Sequence, residues 1–134
     1  REIDIKIMVA YNSSNVSKEA IQLAKEHAKA FGAKVFVVTS LTQRGVLKLE
    51  DIQDVEIELE NLKIPFKEDG IECETHAVVS TLLPGENLVQ FAKENEIDEI
   101  LIGVRRRSRT GKLLFGSNAQ HIILNAPCPV VAVK

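Results

Sequence analysis

The sequence of 134 residues contains no tryptophan and only one tyrosine, and aromatic side chains make up 4% of it. Domains that bind single-stranded nucleic acids stack bases on aromatic side chains, so this shortage argues against that class. The formal net charge is −2, so the chain also lacks the strong positive charge that is typical of nucleic-acid-binding domains. We therefore expect no nucleic-acid partner.

Cysteine is scarce as well, with only Cys73 and Cys128 present. Neither residue has a partner at the spacing of a metal site, and the pair does not indicate a disulfide framework. We expect both to be small buried residues in a reducing compartment, which predicts a cytoplasmic protein. No apolar run reaches the length of about 20 residues that a membrane-spanning helix needs, so we expect no membrane partner.

Acidic residues are absent beyond Glu99. The last 35 residues carry six basic side chains and no acidic one, whereas the first 99 residues carry 11 basic and 19 acidic side chains. Four of the six are Arg105, Arg106, Arg107 and Arg109, which lie in one short stretch. A positive field confined to one stretch suits a small anionic ligand better than a polyanion.

Hydrophobic residues make up 45% of the sequence, which is enough for one core in a chain of this length. We therefore expect a single domain over residues 1–134. Apolar runs typical of buried strands alternate with segments of helical periodicity. The strands are predicted at residues 3–11, 34–40, 72–80, 99–104 and 130–133, and the last helix at residues 117–125.

This alternation predicts an α/β domain with a parallel sheet and helices on both faces. In such sheets ligands bind beyond the carboxyl ends of the strands, where the strand order reverses. The arginine-rich stretch follows the fourth predicted strand and is therefore expected at that edge.

The segment from Gly103 to Gln120 has the composition of an anion-binding loop. Glycines let backbone N–H groups approach a ligand closely, and the arginine guanidinium matches the geometry of phosphate. Ser117 and Gln120 have the spacing of a capping box, which predicts a helix with Ser117 as its N-cap and its positive dipole end in the loop. The alternative is a solvated basic turn. The expected position of the loop at the ligand-binding edge favours the anion.

The other residues expected at this edge carry hydroxyl and amide groups. They are Tyr11, Asn12, Ser13, Ser14, Ser40, Thr42, Ser80 and Thr81. Because no Asp, Glu or His follows any of these strands, general acid–base catalysis has no candidate residue and a magnesium site would lack carboxylates. The sequence therefore favours binding over catalysis, and ATP hydrolysis is the least supported function.

The chain resembles the universal stress protein family over essentially its whole length. Its opening Lys-Ile-Met-Val-Ala-Tyr-Asn-Ser-Ser is similar to the family's first strand and turn. The segments Asp-Glu-Ile-Leu-Ile-Gly at residues 98–103, Gly-Ser at 116–117 and Ala-Pro-Cys-Pro-Val-Val-Ala-Val at 126–133 are similar to its C-terminal half. The resemblance implies a five-stranded parallel sheet of order 3-2-1-4-5, of the adenine nucleotide alpha hydrolase-like type.

The resemblance also implies a ligand, because one branch of the family binds ATP and carries the pattern G-x-x-G-(nine residues)-G-[S/T]. Gly103, Gly116 and Ser117 match this pattern. By resemblance, the base would be bordered by Ala10, Tyr11, Asn12 and Leu41, and the ribose and phosphates by Gly103, Arg105, Gly116, Ser117 and Asn118. We add Arg106 and Arg107 as phosphate contacts and expect ATP or AMP as the ligand, with no indication of a metal.

Two positions depart from that branch. Asn12 stands in place of an aspartate, and Arg106 replaces the second glycine. Arg106 would either block the phosphate channel or replace a backbone contact with a charge. Two functions follow: a non-catalytic module that senses an adenine nucleotide through weak binding, and a nucleotide-free dimeric stress or scaffold protein whose basic loop faces solvent or a protein partner.

The last predicted strand is apolar and is expected at the edge of the sheet. Such edges are normally covered or paired, and members of the family commonly dimerise through this strand. We therefore expect a symmetric homodimer that pairs Val130, Val131, Ala132 and Val133 with a second copy. The alternative is that further C-terminal residues cover the strand.

Overall fold

The computed structural model describes residues 4–43, 47–104 and 116–134. Strands and helices alternate along these residues. The strands are β1 (Lys6–Ala10), β2 (Lys34–Thr42), β3 (Cys73–Ser80), β4 (Glu99–Gly103) and β5 (Val130–Val133). The helices are α1 (Asn15–Phe31), α2 (Leu49–Glu68), α3 (Pro84–Glu94) and α4 (Ser117–Asn125).

The strands form one parallel sheet in the order β3-β2-β1-β4-β5. The chain runs outward from β1 to β3 and then crosses to the other side of β1, so the strand order reverses between β1 and β4. The predicted α/β fold and its strand order are confirmed. The carboxyl ends of β1 and β4 are therefore the place where a ligand site is expected.

Each face of the sheet has its own core, because alternate residues of a strand point to opposite faces. On one face Val9 and Leu101 pack against α1 and α2. On the other face Met8 and Ile102 pack against α3 and α4. These four side chains are at most 2% exposed, and burying a side chain of this size stabilises a fold by about 1.5–3 kcal/mol. The two cores thus fix the strand ends that border the ligand edge.

The start of α4 differs from the prediction. Gly116 has the extended backbone of an N-cap (φ −65°, ψ 158°), and Ser117 is already the first helical residue. The N–H of Gln120 donates to the Gly116 carbonyl at 3.0 Å. The prediction of Ser117 as the N-cap is wrong, because the last extended residue is the glycine before it. Among the described residues no side chain caps the first N–H groups of this helix, which intrahelical bonds leave without a partner.

No helix within the described ranges has both the length and the apolar character needed to cross a lipid bilayer.

Candidate functional site

A cavity of about 440 Å³ opens at the carboxyl ends of β1 and β4. The first turns of α1, α3 and α4 meet there. The residues that line it are Ala10, Tyr11, Asn12, Ser17, Thr39, Ser40, Pro84, Leu88, Ile102, Gly103, Gly116, Ser117, Asn118, Ala119 and Ile122. A smaller cavity of about 260 Å³ adjoins it, with Tyr11, Asn12, Thr39 and Ser40 in both linings. We call these two cavities together the switch-point cleft.

The cleft brings together most of the predicted site residues. Those that line it are Ala10, Tyr11, Asn12, Gly103, Gly116, Ser117 and Asn118. Leu41 does not line it and lies on β2 opposite Val79 of β3. Arg105, Arg106 and Arg107 lie outside the described residues.

A larger cavity of about 600 Å³ lies between α2 and the start of β3. Its lining includes Glu60, Lys63, Lys67 and Glu72, whose charges have mixed signs. It sits at the amino end of β3, whereas parallel sheets of this kind bind ligands at the carboxyl ends. We therefore assign the candidate site to the switch-point cleft despite its smaller size.

The turn after β1 is held by hydrogen bonds among short side chains. Asn12 Oδ1 accepts from the backbone N of Ser14 at 3.2 Å and from Ser14 Oγ at 2.6 Å. Ser14 Oγ in turn accepts from the backbone N of Ser17 at 3.2 Å and caps α1. Because two donors already occupy Asn12 Oδ1, the amide N–H groups are the part of this side chain that can make further hydrogen bonds.

Gly103 brings the end of β4 against the first turn of α1. A Cβ atom at this position would lie 2.8 Å from Val16 Cβ and 3.0 Å from the backbone N of Ser17. Real Cβ contacts are not that short, so glycine is the residue that fits. The close approach places the start of α1 directly beside the switch point.

The starts of α3 and α4 are also joined. The backbone N of Gly85 donates to Asn118 Oδ1 at 2.9 Å. A Cβ atom at Gly85 would lie 2.9 Å from the carbonyl oxygen of Asn118, which shows how closely the two turns pack. Asn118 was predicted as a ligand contact, and its side chain also fixes the position of the open α4 N-terminus.

A carboxylate reaches the cleft from α2. Glu58 Oε2 accepts from the Tyr11 hydroxyl at 2.5 Å and from the Ser13 hydroxyl at 2.7 Å. These hydrogen bonds hold the pKa of Glu58 below its ordinary value, so this carboxylate is charged at neutral pH. Burial and the hydrogen bond to Glu58 raise the pKa of Tyr11 to about 12. The sequence prediction considered only residues that follow strands, and it therefore missed Glu58, which comes from helix α2.

The sequence contained a signal that Glu58 has a partner, although it did not identify Tyr11. Glu58 lies three residues after Val55 and four before Leu62, on the side of α2 that faces the core. A charged residue at such a position needs a buried or half-buried partner. Asn87 gives the same signal in α3, four residues before Phe91, and it is 4% exposed.

The described residues offer no metal centre, since no three His, Cys, Asp or Glu side chains among them come together. Cys73 and Cys128 are free and half-buried. Burial raises the pKa of the Cys73 thiol to about 11, so it stays protonated at neutral pH. Both cysteines are less buried than the sequence predicted.

The sequence and the fold of this chain are similar to those of known proteins. A model of the universal stress protein family matches residues 5–134. The chain belongs to this family. A universal stress protein of Methanocaldococcus jannaschii is 29% identical in an alignment that covers 96% of this chain and 81% of the relative.

Solved structures of universal stress proteins share the fold. One from Archaeoglobus fulgidus has a TM-score of 0.85 and 34% sequence identity, and the match covers 99% of this chain and 100% of that chain. Another from the same organism, in complex with dAMP, has a TM-score of 0.80 and 30% identity, with 98% of both chains covered. The family resemblance inferred from the sequence is confirmed.

Proposed function

We propose that this universal stress protein domain is a non-catalytic sensor that binds an adenine nucleotide in the switch-point cleft. The observation that carries the proposal is the open first turn of α4. Gly116, Ser117 and Asn118 line the cleft, and no described side chain caps their helix. Unpaired N–H groups and the positive end of the helix dipole favour an anion such as phosphate.

The distribution of charge in the cleft indicates the orientation of the bound nucleotide. The phosphate lies at the start of α4, and the positively charged Arg105, Arg106 and Arg107 come shortly before this helix in the sequence. Glu58 lines the smaller cavity of the cleft, whose lining includes no residue of α4. This carboxylate is ionised, so it disfavours phosphate in that cavity. The nucleoside therefore lies over β1 and β2, near Ala10, Tyr11 and Asn12.

The dAMP complex of the Archaeoglobus fulgidus relative supports an adenine nucleotide as the ligand, since that protein is 30% identical over nearly the whole chain. The volume of the main cavity, about 440 Å³, lies in the range of ordinary small-molecule sites. AMP is therefore our first candidate, and ATP needs room beyond the α4 start for two more phosphates.

Sensing fits the site better than hydrolysis. Glu58 is the one carboxylate among the described residues that line the cleft, and two hydroxyl groups already donate to it. A general base has to be free to accept a proton from the attacking water. ATP hydrolysis therefore remains the least supported function.

Isothermal titration calorimetry with AMP, ADP and ATP tests the proposal. We expect saturable binding of AMP with a dissociation constant between about 1 μM and 1 mM, and no release of phosphate from ATP above background. A second measurement is the mass spectrum of whatever leaves the purified protein on denaturation. Absence of heat with all three nucleotides at millimolar concentration would favour the alternative, a nucleotide-free scaffold protein.

A further inference from the structure

The side chain of Asn87 has a fixed orientation. It lies in the first turn of α3 and is 4% exposed. Its Nδ2 lies 3.0 Å from the carbonyl oxygen of Val78 and 2.7 Å from Ser40 Oγ. A carbonyl oxygen only accepts hydrogen bonds, so the group that faces Val78 is the amide NH₂. The second hydrogen of that NH₂ is then donated to Ser40 Oγ.

This arrangement makes the Ser40 hydroxyl a hydrogen-bond donor. Its oxygen accepts from Asn87, and no described residue accepts its hydrogen. Ser40 lines both parts of the switch-point cleft, so the hydrogen is available to a ligand there. The neighbouring hydroxyl has the opposite role, because Thr39 Oγ1 donates to the Tyr11 carbonyl at 2.8 Å.

The position of Ser40 indicates which part of a nucleotide it meets. Ser40 lies on β2, and β1 separates β2 from β4, which leads to α4. Adjacent strands are about 4.8 Å apart, so β2 lies roughly 10 Å from β4. A phosphate at the start of α4 leaves the nucleoside for the β2 end of the main cavity, which Ser40 lines. Ring nitrogens and sugar oxygens of the nucleoside are the acceptors that remain.

We propose that Ser40 is a specificity-determining hydrogen-bond donor to the nucleoside part of the bound nucleotide, and that Asn87 is the positioning residue that holds it in this role. The inference rests on the proposed nucleotide binding. It extends that proposal by assigning the recognition of the nucleoside to a pair of residues outside the β4–α4 loop.

Calorimetry with adenosine and AMP tests the role of Ser40, because adenosine has no phosphate. S40A is expected to bind both ligands roughly 2- to 10-fold more weakly than the wild type, the range for loss of one neutral hydrogen bond. S40T keeps the hydroxyl and is expected to bind like the wild type. T42V is the matched control: it removes a hydroxyl on the same strand that does not line the cleft and whose hydrogen is already donated to the Leu82 carbonyl, so its affinity is expected to stay unchanged.

A mutant cycle tests the role of Asn87. N87A is expected to weaken adenosine binding in the wild-type background and to have no further effect in S40A, because Asn87 acts through Ser40. A purely structural role would weaken binding equally in both backgrounds and would overturn the assignment of Asn87. If N87A does not fold, the comparison of S40A, S40T and T42V decides the inference alone.

The outcomes separate this inference from the proposed function. If the wild type binds AMP and S40A binds AMP and adenosine equally well, only the role of Ser40 is refuted. A loss in S40A that is seen with AMP but not with adenosine would indicate a phosphate contact and would also refute it. If the wild type binds neither ligand, the proposed function fails and this inference fails with it.

Discussion

A carboxylate on helix α2, that of Glu58, changes the chemistry at the end of β1, where it accepts hydrogen bonds from Tyr11 and Ser13. Tyr11 is 4% exposed, and its hydroxyl donates to a carboxylate that also accepts from Ser13. Ser13 adopts a left-handed backbone conformation with φ of 68°, which is rare for a residue with a side chain. The turn is thus held in a strained shape that aims two hydroxyl groups at Glu58.

This contact predicts a loss of stability at high pH. The pKa of Tyr11 is raised from 10.0 to about 12 by burial and by Glu58. The unfolded chain therefore ionises this tyrosine first, and the free energy of unfolding falls as the pH rises from about 10 towards 12. Urea unfolding between pH 8 and pH 11.5 is expected to show a smaller fall for Tyr11→Phe, which has no group to ionise. An equal fall in the free energy of unfolding for the two proteins would contradict the contact between Tyr11 and Glu58.

Gly103 allows a second prediction at the scale of one residue. Gly103→Ala places a methyl group 2.8 Å from Val16 Cβ, so α1 has to move away from β4. We expect a loss of about 1–3 kcal/mol in the free energy of unfolding, the usual cost of overpacking. Gly116→Ser is the control, because its Cβ has no described atom within 4 Å and serine is a favoured N-cap. Equal stability of Gly103→Ala and the wild type would contradict the close contact between the end of β4 and α1.

At the scale of elements, the strands and helices could be predicted because hydrophobic periodicity is a local property of the sequence. The strand at 130–133 and the helix at 117–125 match the structure in their bounds. The contact between Glu58 and Tyr11 could not be predicted in this way, since it depends on how α2 packs over β1. The same holds for Asn87 and Ser40, which are 47 positions apart in sequence. The residues at the strand ends of the cleft could thus be predicted from the sequence, whereas the contacts that the helices add could not.

The α3–α4 contact gives a prediction at this scale. Asn118→Ala removes the acceptor of the Gly85 N–H, and we expect a loss of about 1 kcal/mol in the free energy of unfolding. Asn125→Ala, at the exposed end of the same helix, removes a hydrogen bond that stays within α4 and is expected to cost less than about 0.5 kcal/mol. Both are measured by chemical unfolding. Similar losses in the two variants would argue against a structural link between the helix starts.

At the scale of the whole molecule, β5 is an edge strand of the sheet. The N–H groups of Ile100 and Val104 donate to the carbonyls of Pro129 and Val133. Since backbone groups in a strand alternate in direction, those of Val130 and Ala132 point away from β4. We propose that these outward groups, with Val131 and Val133 beside them, form the interface of a homodimer.

Ala132→Pro tests this dimer. It removes an outward N–H and leaves the hydrogen bonds to β4 in place, and proline is tolerated on an edge strand. Sedimentation at micromolar concentration is expected to show a dimer for the wild type and for Ala132→Ser, and a monomer for Ala132→Pro. A wild-type monomer, or a proline variant that still dimerises, would contradict the proposed pairing.

The central claim is that the switch-point cleft holds a nucleotide. The most direct test is a titration of isotope-labelled protein with AMP, followed by nitrogen–proton correlation NMR. We expect the largest shifts at the backbone amides of Ala10, Asn12, Ser40, Gly103 and Ser117. Absence of shifts at millimolar AMP, or largest shifts around Lys63 and Cys73 in the cavity between α2 and β3, would contradict the claim.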